Sequence, residues 1–77
     1  MSRIANSLMM YMILQDNSPK PISINYLANK LEVSDKTVRI LRDELEGAGF
    51  QVDSIRGRYG GYFVPQGSKR LRWERTQ

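Results

Sequence analysis

Residues 31–50, with the sequence LEVSDKTVRILRDELEGAGF, constrain the fold more than any other stretch of the chain. Four apolar residues recur there at steps of three, four and three, the spacing of one stripe on an α-helix: Val38, Leu41, Leu45 and Ala48. The opposite face is charged and carries Lys36, Arg39, Asp43 and Glu46. Ser34 is a favourable N-cap because its hydroxyl oxygen can accept from backbone N–H groups in the first turn. With Gly47 and Gly49 as stop signals, the stretch predicts a turn followed by one amphipathic helix.

The segments on either side add a second helix and a hairpin. Residues 25–31 form a shorter periodic segment that Ser23 can cap, and Glu32, Val33 and Ser34 join the two helices. Residues 50–56 alternate as a half-buried strand does, residues 57–60 form a Gly-rich turn, and residues 61–64 form a second strand. We expect Pro21 and Ile22 to add a short strand to this hairpin. A helix-turn-helix followed by a β-hairpin predicts a winged helix.

A further helix is predicted at the start of the chain, over residues 2–15. Its apolar stripe comprises Ile4, Leu8, Tyr11 and Met12, and is widened by Ala5, Met9 and Ile13. Residues 8–14 are apolar nearly all round, which implies burial on more than one side. Either this is a core helix, or a second subunit contacts Met9, Met10, Ile13 or Leu14, and we expect a homodimer through it. The fold class is α+β: a winged helix-turn-helix with three helices and a small antiparallel β-sheet.

Residues 33–64 resemble the N-terminal winged-helix domain of the bacterial WYL-domain transcriptional regulators. They are similar, more loosely, to the DeoR-type and biotin-repressor-type DNA-binding domains. The segment aligns without gaps with the usual WYL-regulator pattern, and the matching residues are Val33, Ser34, Thr37, Val38, Leu45, Ala48, Gly49, Val52, Gly57, Gly60, Gly61 and Tyr62. Ile40, Leu41 and Arg42 depart from the pattern, which has Arg, Asp and an apolar residue there. The resemblance covers roughly half the chain and implies a winged-helix fold and DNA binding.

Composition narrows the function classes. The chain has 77 residues, enough for one domain, and it contains neither cysteine nor histidine, so thiolate metal ligands and the commonest general base are missing. The Gly-rich turn precedes a strand rather than a helix, so it lacks the pattern of a phosphate-binding loop. From these absences together we expect no enzyme, no cofactor and no small-molecule ligand. No apolar run approaches the ~20 residues of a membrane-spanning helix, and we expect a cytoplasmic protein. Residues 1–65 are predicted to form the DNA-binding domain and residues 66–77 a basic tail.

The amphipathic helix carries one group of predicted DNA contacts: Ser34, Asp35, Lys36, Thr37, Arg39 and Arg42. In a helix-turn-helix, the N-terminal half of the second helix reaches base edges in the major groove. Arg39 is the best candidate for a bidentate contact with guanine, and Lys36 can reach a base or a phosphate. Asp35 can accept from cytosine, although we favour the interpretation that it interacts with the helix dipole. Ser34 and Thr37 can anchor the DNA backbone.

The hairpin supplies the second group of predicted contacts: Arg56, Arg58 and Tyr59. From residue 56 to the end, six basic residues face one acidic residue, whereas acidic side chains outnumber basic ones in residues 34–55. Cations on a hairpin tip favour phosphates; the alternative is that Arg56 and Arg58 are ordinary solvated residues. We therefore predict sequence-specific binding to double-stranded DNA by a small bacterial or mobile-element transcriptional regulator. The alternatives are a protein–protein interaction module and an accessory DNA-binding factor in replication or recombination.

Overall fold

The computed structural model describes residues 3–68, which form three helices and a two-stranded antiparallel sheet. Helix α1 spans Arg3–Asp16, α2 spans Ile24–Leu31 and α3 spans Asp35–Gly47. Strand β1 spans Asp53–Ile55 and β2 spans Gly61–Phe63. The predicted winged helix-turn-helix is confirmed. Among the described residues no helix has the length and apolar character needed to cross a membrane. Residues 69–77, where most of the predicted basic tail falls, lie outside the described residues.

Helix α1 packs against α2 and α3 with a face that differs from the predicted stripe. Its fully buried residues are Met10, Tyr11 and Leu14. Ile4 and Leu8, which were predicted to belong to the buried stripe, are 72% and 41% exposed, so the predicted stripe is wrong at its N-terminal end. Because apolar side chains surround this helix, its own sequence does not select the buried face, and contacts with the other helices do.

Helix α2 begins and ends through local backbone interactions. Ser23 caps it by accepting a hydrogen bond from the Tyr26 N–H at 3.0 Å, which confirms the predicted cap. Glu32 follows the helix in the left-handed conformation, with φ of 58°. The N–H groups of Glu32 and Val33 both donate to carbonyls of the last turn, which is a Schellman arrangement. This turn leads the chain directly into α3.

Helix α3 buries Val38, Leu41 and Leu45, as the periodicity predicts. These side chains form one core with the buried residues of α1, α2 and the sheet. Ala48, the fourth member of the predicted stripe, lies beyond the end of the helix and is exposed, so that prediction is wrong. Gly49 takes a φ of 96° after the helix, where a side chain would be strained, and it acts as the predicted stop signal.

The wing is the hairpin of β1 and β2 with the turn between them. The two strands pair in the register Asp53 with Phe63, Ser54 with Tyr62 and Ile55 with Gly61. The predicted strand of Pro21 and Ile22 is present as a single bridge, in which Ile22 and Tyr62 exchange backbone hydrogen bonds of 2.8 and 2.9 Å. Glycine is required at position 61 because a Cβ there would overlap the Ile22 carbonyl oxygen. This close approach fixes the wing against the start of α2.

Candidate nucleic-acid interface

The first turn of α3 presents polar groups from a fixed backbone. The Ser34 hydroxyl oxygen accepts from the Thr37 N–H at 3.1 Å, and it lies 3.0 Å from the Thr37 hydroxyl oxygen. Asp35 and Lys36 are exposed, and the Asp35 carboxylate lies at the positive end of the helix dipole. The predicted Ser34 cap is therefore confirmed, while contacts of these four residues with DNA stay predictions.

An open groove of about 540 Å³ is lined by both α3 and the wing. Arg39 contributes from α3, Arg56 and Arg58 contribute from the wing, and Ser23 contributes from the start of α2. All three arginines are exposed, and none forms an ion pair within residues 3–68. The fold thus brings together three unpaired guanidinium groups that the sequence separates by up to 19 positions. A groove of this kind is suited to binding phosphates.

The tip of the wing is a closed turn with an exposed aromatic ring. The Gly60 N–H donates to the Gly57 carbonyl at 3.1 Å, and Gly57 has a φ of 116°. Tyr59, between them, is 85% exposed and has no hydrogen bond or ring contact within the part of the chain that the structure describes. The predicted wing residues therefore face solvent together at the end of the hairpin.

A helix-turn-helix followed by a hairpin, with a cationic groove between them, is an arrangement found in DNA-binding proteins. Comparison with protein families identifies the family of this chain. The family described as an HTH domain matches residues 7–63, which is most of the chain. The chain belongs to this helix-turn-helix family. It is a helix-turn-helix DNA-binding domain. No curated protein and no solved structure gives a significant match, and the finer resemblance to the WYL regulators stays a prediction.

Arg42 of this helix-turn-helix domain differs from the other predicted DNA contacts because the protein itself binds its guanidinium group. Its Nε and Nη2 atoms donate to the Val52 carbonyl oxygen at 3.3 and 3.2 Å, and its Cζ atom lies 5.7 Å from the centre of the Tyr62 ring. Asp43 and Glu46 each hold a carboxylate oxygen 3.5 Å from the same group. The side chain is 26% exposed. Arg42 therefore joins α3 to the base of the wing, and its contact with DNA stays a prediction.

The charges of the helix-turn-helix domain are divided along α3. Lys36 and Arg39 lie in the first half, whereas Asp43, Glu44 and Glu46 lie in the second. The Ser7 hydroxyl donates to the Glu44 carboxylate at 3.2 Å, which ties the acidic half to α1. Since carboxylates repel phosphates, the first half of α3 and the wing are electrostatically better suited to the DNA backbone than the second half of α3.

The contacts of Arg42 with Val52 and Tyr62 within the protein were not predicted from the sequence. One feature of the sequence pattern pointed to such a role. In the WYL-regulator pattern the residue at this position is apolar, which indicates a position turned towards the protein. An arginine there can bury its aliphatic stem and direct its guanidinium group to a nearby carbonyl. The sequence could not show which carbonyl, because Val52 lies ten residues away across the end of the helix.

Proposed function

We propose that this domain binds double-stranded DNA sequence-specifically and regulates transcription, as a small bacterial or mobile-element regulator does. The observation that carries the proposal is the groove lined by Arg39, Arg56 and Arg58, none of which pairs with a carboxylate of residues 3–68. A groove lined by unpaired cations next to an exposed helix N-terminus gives one continuous surface for a base edge and the adjoining backbone. Such a regulator would act where bacterial DNA lies, in the cytoplasm, and without catalysis.

In this proposal the first half of α3 enters the major groove. Arg39 donates two hydrogen bonds to guanine O6 and N7, a contact that contributes about 1–3 kcal/mol to discrimination between bases. Lys36, one turn earlier, contacts a neighbouring base or phosphate. The Ser34 and Thr37 hydroxyl groups lie at the start of the helix, where backbone phosphates are commonly bound. Asp35 stabilises the helix N-terminus and reads no base.

The direct test begins with selection of binding sites from random duplex DNA. On the selected site, Arg39→Ala should weaken binding about 5- to 150-fold and relax the choice of base at one position. Arg39→Lys is the matched variant because lysine keeps the charge and loses the planar pair of donors. It should keep affinity for random duplex and lose preference at that same position. Equal binding of the selected site by wild type and by both variants would show that Arg39 reads no base.

The wing is proposed to supply affinity rather than sequence choice. Each phosphate that a cation neutralises contributes about −0.9 to the slope of log affinity against log salt. Replacing Arg56 and Arg58 together with alanine should therefore flatten the slope by about one to two units. Binding to the selected site and to a scrambled duplex should fall by similar factors. An unchanged slope would place the wing outside the interface, and a loss confined to the selected site would make the wing a base reader.

A protein-interaction module is the alternative, and the acidic half of α3 is the observation that favours it. Asp43 and Glu46 are exposed, and they are unsuited to a nucleic-acid surface. A mobility-shift assay on random duplex at low salt separates the two functions. Binding that weakens steeply with added salt supports DNA binding, whereas the absence of any shift at low salt would favour the interaction module.

We further propose that the domain forms a homodimer through α1. Beyond the face that packs in the core, α1 exposes Ile4, Leu8 and Met9. An apolar hollow of about 340 Å³ runs along this outer side, lined by Ala5, Leu8, Met9, Met12, Ile13 and Asp16. Because a small domain gains little by leaving such a surface in water, a second copy of the helix is a suitable cover. A dimer implies two half-sites one helical turn, or a multiple of it, apart.

The exposures indicate which substitution tests the dimer cleanly. Met9 is 52% exposed, so Met9→Glu should convert a dimer to a monomer in sedimentation experiments while leaving the melting temperature of the monomer nearly unchanged. Ile13 packs partly against the core, so Ile13→Glu could both separate the subunits and unfold the domain, and the two effects could not be told apart by sedimentation. Met10 is fully buried, and Met10→Glu is the control that should unfold the domain. A wild type that sediments as a monomer at micromolar concentration would contradict the proposal.

A further inference from the structure

The wing carries apolar surface that phosphate binding does not explain. Tyr59 at its tip is 85% exposed, and Ile55 on β1 of the same hairpin is 47% exposed. Arg56 and Arg58 supply cations for phosphates, and the Tyr59 hydroxyl can also donate to a phosphate, but none of these contacts uses the face of the ring. An aromatic ring at this position therefore points to a ligand with an apolar face.

The environment of Tyr59 differs from that of the buried tyrosines. Tyr11 is packed against Phe50, with 4.8 Å between ring centroids, and Tyr62 lies beneath the Arg42 guanidinium group. The Tyr59 ring has no such partner within residues 3–68. Most of its surface is therefore available for stacking on another molecule.

The backbone of the turn that carries Tyr59 is constrained by close contacts. The Gly60 N–H closes the turn on the Gly57 carbonyl. A Cβ at position 60 would overlap the carbonyl oxygen of Ile55, so the backbone of the turn folds closely on the end of β1. The exposed ring is therefore attached to a well-defined backbone position at the tip of the hairpin, next to Arg58 in the sequence.

We propose that Tyr59 stacks on an unpaired base beside a duplex, so that the domain prefers DNA with an unpaired nucleotide next to a helical segment. Within an intact duplex the base faces are stacked on one another, and reaching one requires unstacking. An unpaired base offers its face without that cost, and every base can stack on an aromatic ring. Arg56 and Arg58 then bind phosphates on either side. This inference rests on the proposed DNA binding and adds a second mode of recognition to it.

The test compares two DNA probes that differ at one point. One is a hairpin duplex containing the selected site, and the other is the same hairpin with one unpaired 2-aminopurine beside that site. Binding is measured by fluorescence anisotropy, and stacking by quenching of the 2-aminopurine. Wild type should bind the second probe more tightly and quench its fluorescence. Tyr59→Ala should weaken binding to the probe with the unpaired 2-aminopurine by about 5- to 150-fold, the range expected for the loss of one stacked base.

Three variants separate stacking from other roles of the tyrosine. Tyr59→Phe and Tyr59→Trp should keep both the preference and the quenching, because each keeps an aromatic face. Tyr26→Ala is the matched control, since Tyr26 is 50% exposed on α2, and it should leave both readouts unchanged. The inference is overturned if wild type binds the two probes equally, if Tyr59→Ala keeps the preference, or if Tyr59→Phe loses it. Failure of every variant to bind either probe would instead refute the proposed DNA binding.

Discussion

The contacts of Arg42 give a prediction whose size follows from the structure. Substituting methionine keeps helix propensity and most of the packing of the aliphatic stem while removing the guanidinium group. The group's two N–H donors share the Val52 carbonyl, so they count as one charged hydrogen bond, worth about 1.5–3 kcal/mol. The contact with the Tyr62 ring adds about 0.5–1 kcal/mol. The partly exposed ion pairs with Asp43 and Glu46, at 3.5 Å, add about 0–1 kcal/mol.

The three contributions together come to about 2–5 kcal/mol. Because methionine makes apolar contacts in place of the guanidinium group, Arg42→Met should lower the free energy of unfolding by an amount in the lower part of that range, about 2–3 kcal/mol. For a domain of this size, each kcal/mol lowers the melting temperature by about 4–8 °C. The expected decrease is therefore about 8–24 °C, measured by circular dichroism at several heating rates and by urea denaturation.

Arg39→Met is the matched control for this prediction. It makes the same substitution on the same helix one turn earlier, where the side chain is exposed and has no ion pair within the described residues. It should change the free energy of unfolding by no more than about 0.5 kcal/mol. Equal stability losses in the two variants, or a loss below about 0.5 kcal/mol for Arg42→Met, would refute the assignment of Arg42 to the join between α3 and the wing.

Three further predictions concern residues that fix the local backbone conformation, and each is tested by measuring the free energy of unfolding with urea. Ser34→Ala should cost about 1 kcal/mol and Ser34→Gly only a few tenths, because glycine is a tolerable N-cap; equal costs would contradict the capping role. Glu32→Gly should stabilise the domain by about 0–1.6 kcal/mol, because relief of the left-handed conformation contributes about 1–2 kcal/mol and the freer unfolded chain costs about 0.4–1 kcal/mol. A loss above about 0.5 kcal/mol would show that the Glu32 side chain matters more than its φ. Gly61→Ala should cost about 1–3 kcal/mol by overlapping the Ile22 carbonyl. Gly47→Ala, in helix α3 with open space around it, should be neutral or stabilising and is the control.

The helix-turn-helix was predictable because its local signals agree with its packing. Ser23 and Ser34 are favourable caps at helix starts, and both cap helices in the structure. The apolar stripe of α3 lies opposite a charged face, so Val38 and Leu41 have only one side on which to be buried. Where caps and periodicity point to the same helix, the sequence alone suffices.

The buried face of α1 was not predictable for the opposite reason. Apolar residues occur on every side of its second half, so Leu8 and Met10 are equally plausible core residues from the sequence, and only Met10 is fully buried. The contacts of Arg42 were not predictable either, since an arginine on a helix is expected to extend into solvent. Both outcomes depend on residues distant in the sequence, namely the α2 and α3 surfaces and the Val52 carbonyl.

Arg42 also affects the availability of Arg39, and this gives the last prediction. Asp43 follows Arg39 by four positions, so the two side chains are neighbours on the surface of α3 and can pair. In the structure Asp43 instead lies 3.5 Å from Arg42, which leaves the Arg39 guanidinium group unpaired within the described residues. Arg42→Met should therefore release Asp43 to Arg39 and weaken DNA binding, even at temperatures where the variant is fully folded. Adding Asp43→Asn should restore the affinity without restoring the melting temperature. If the double variant binds no better than Arg42→Met alone, the effect of Arg42 on binding passes through the position of the wing rather than through the charge of Asp43.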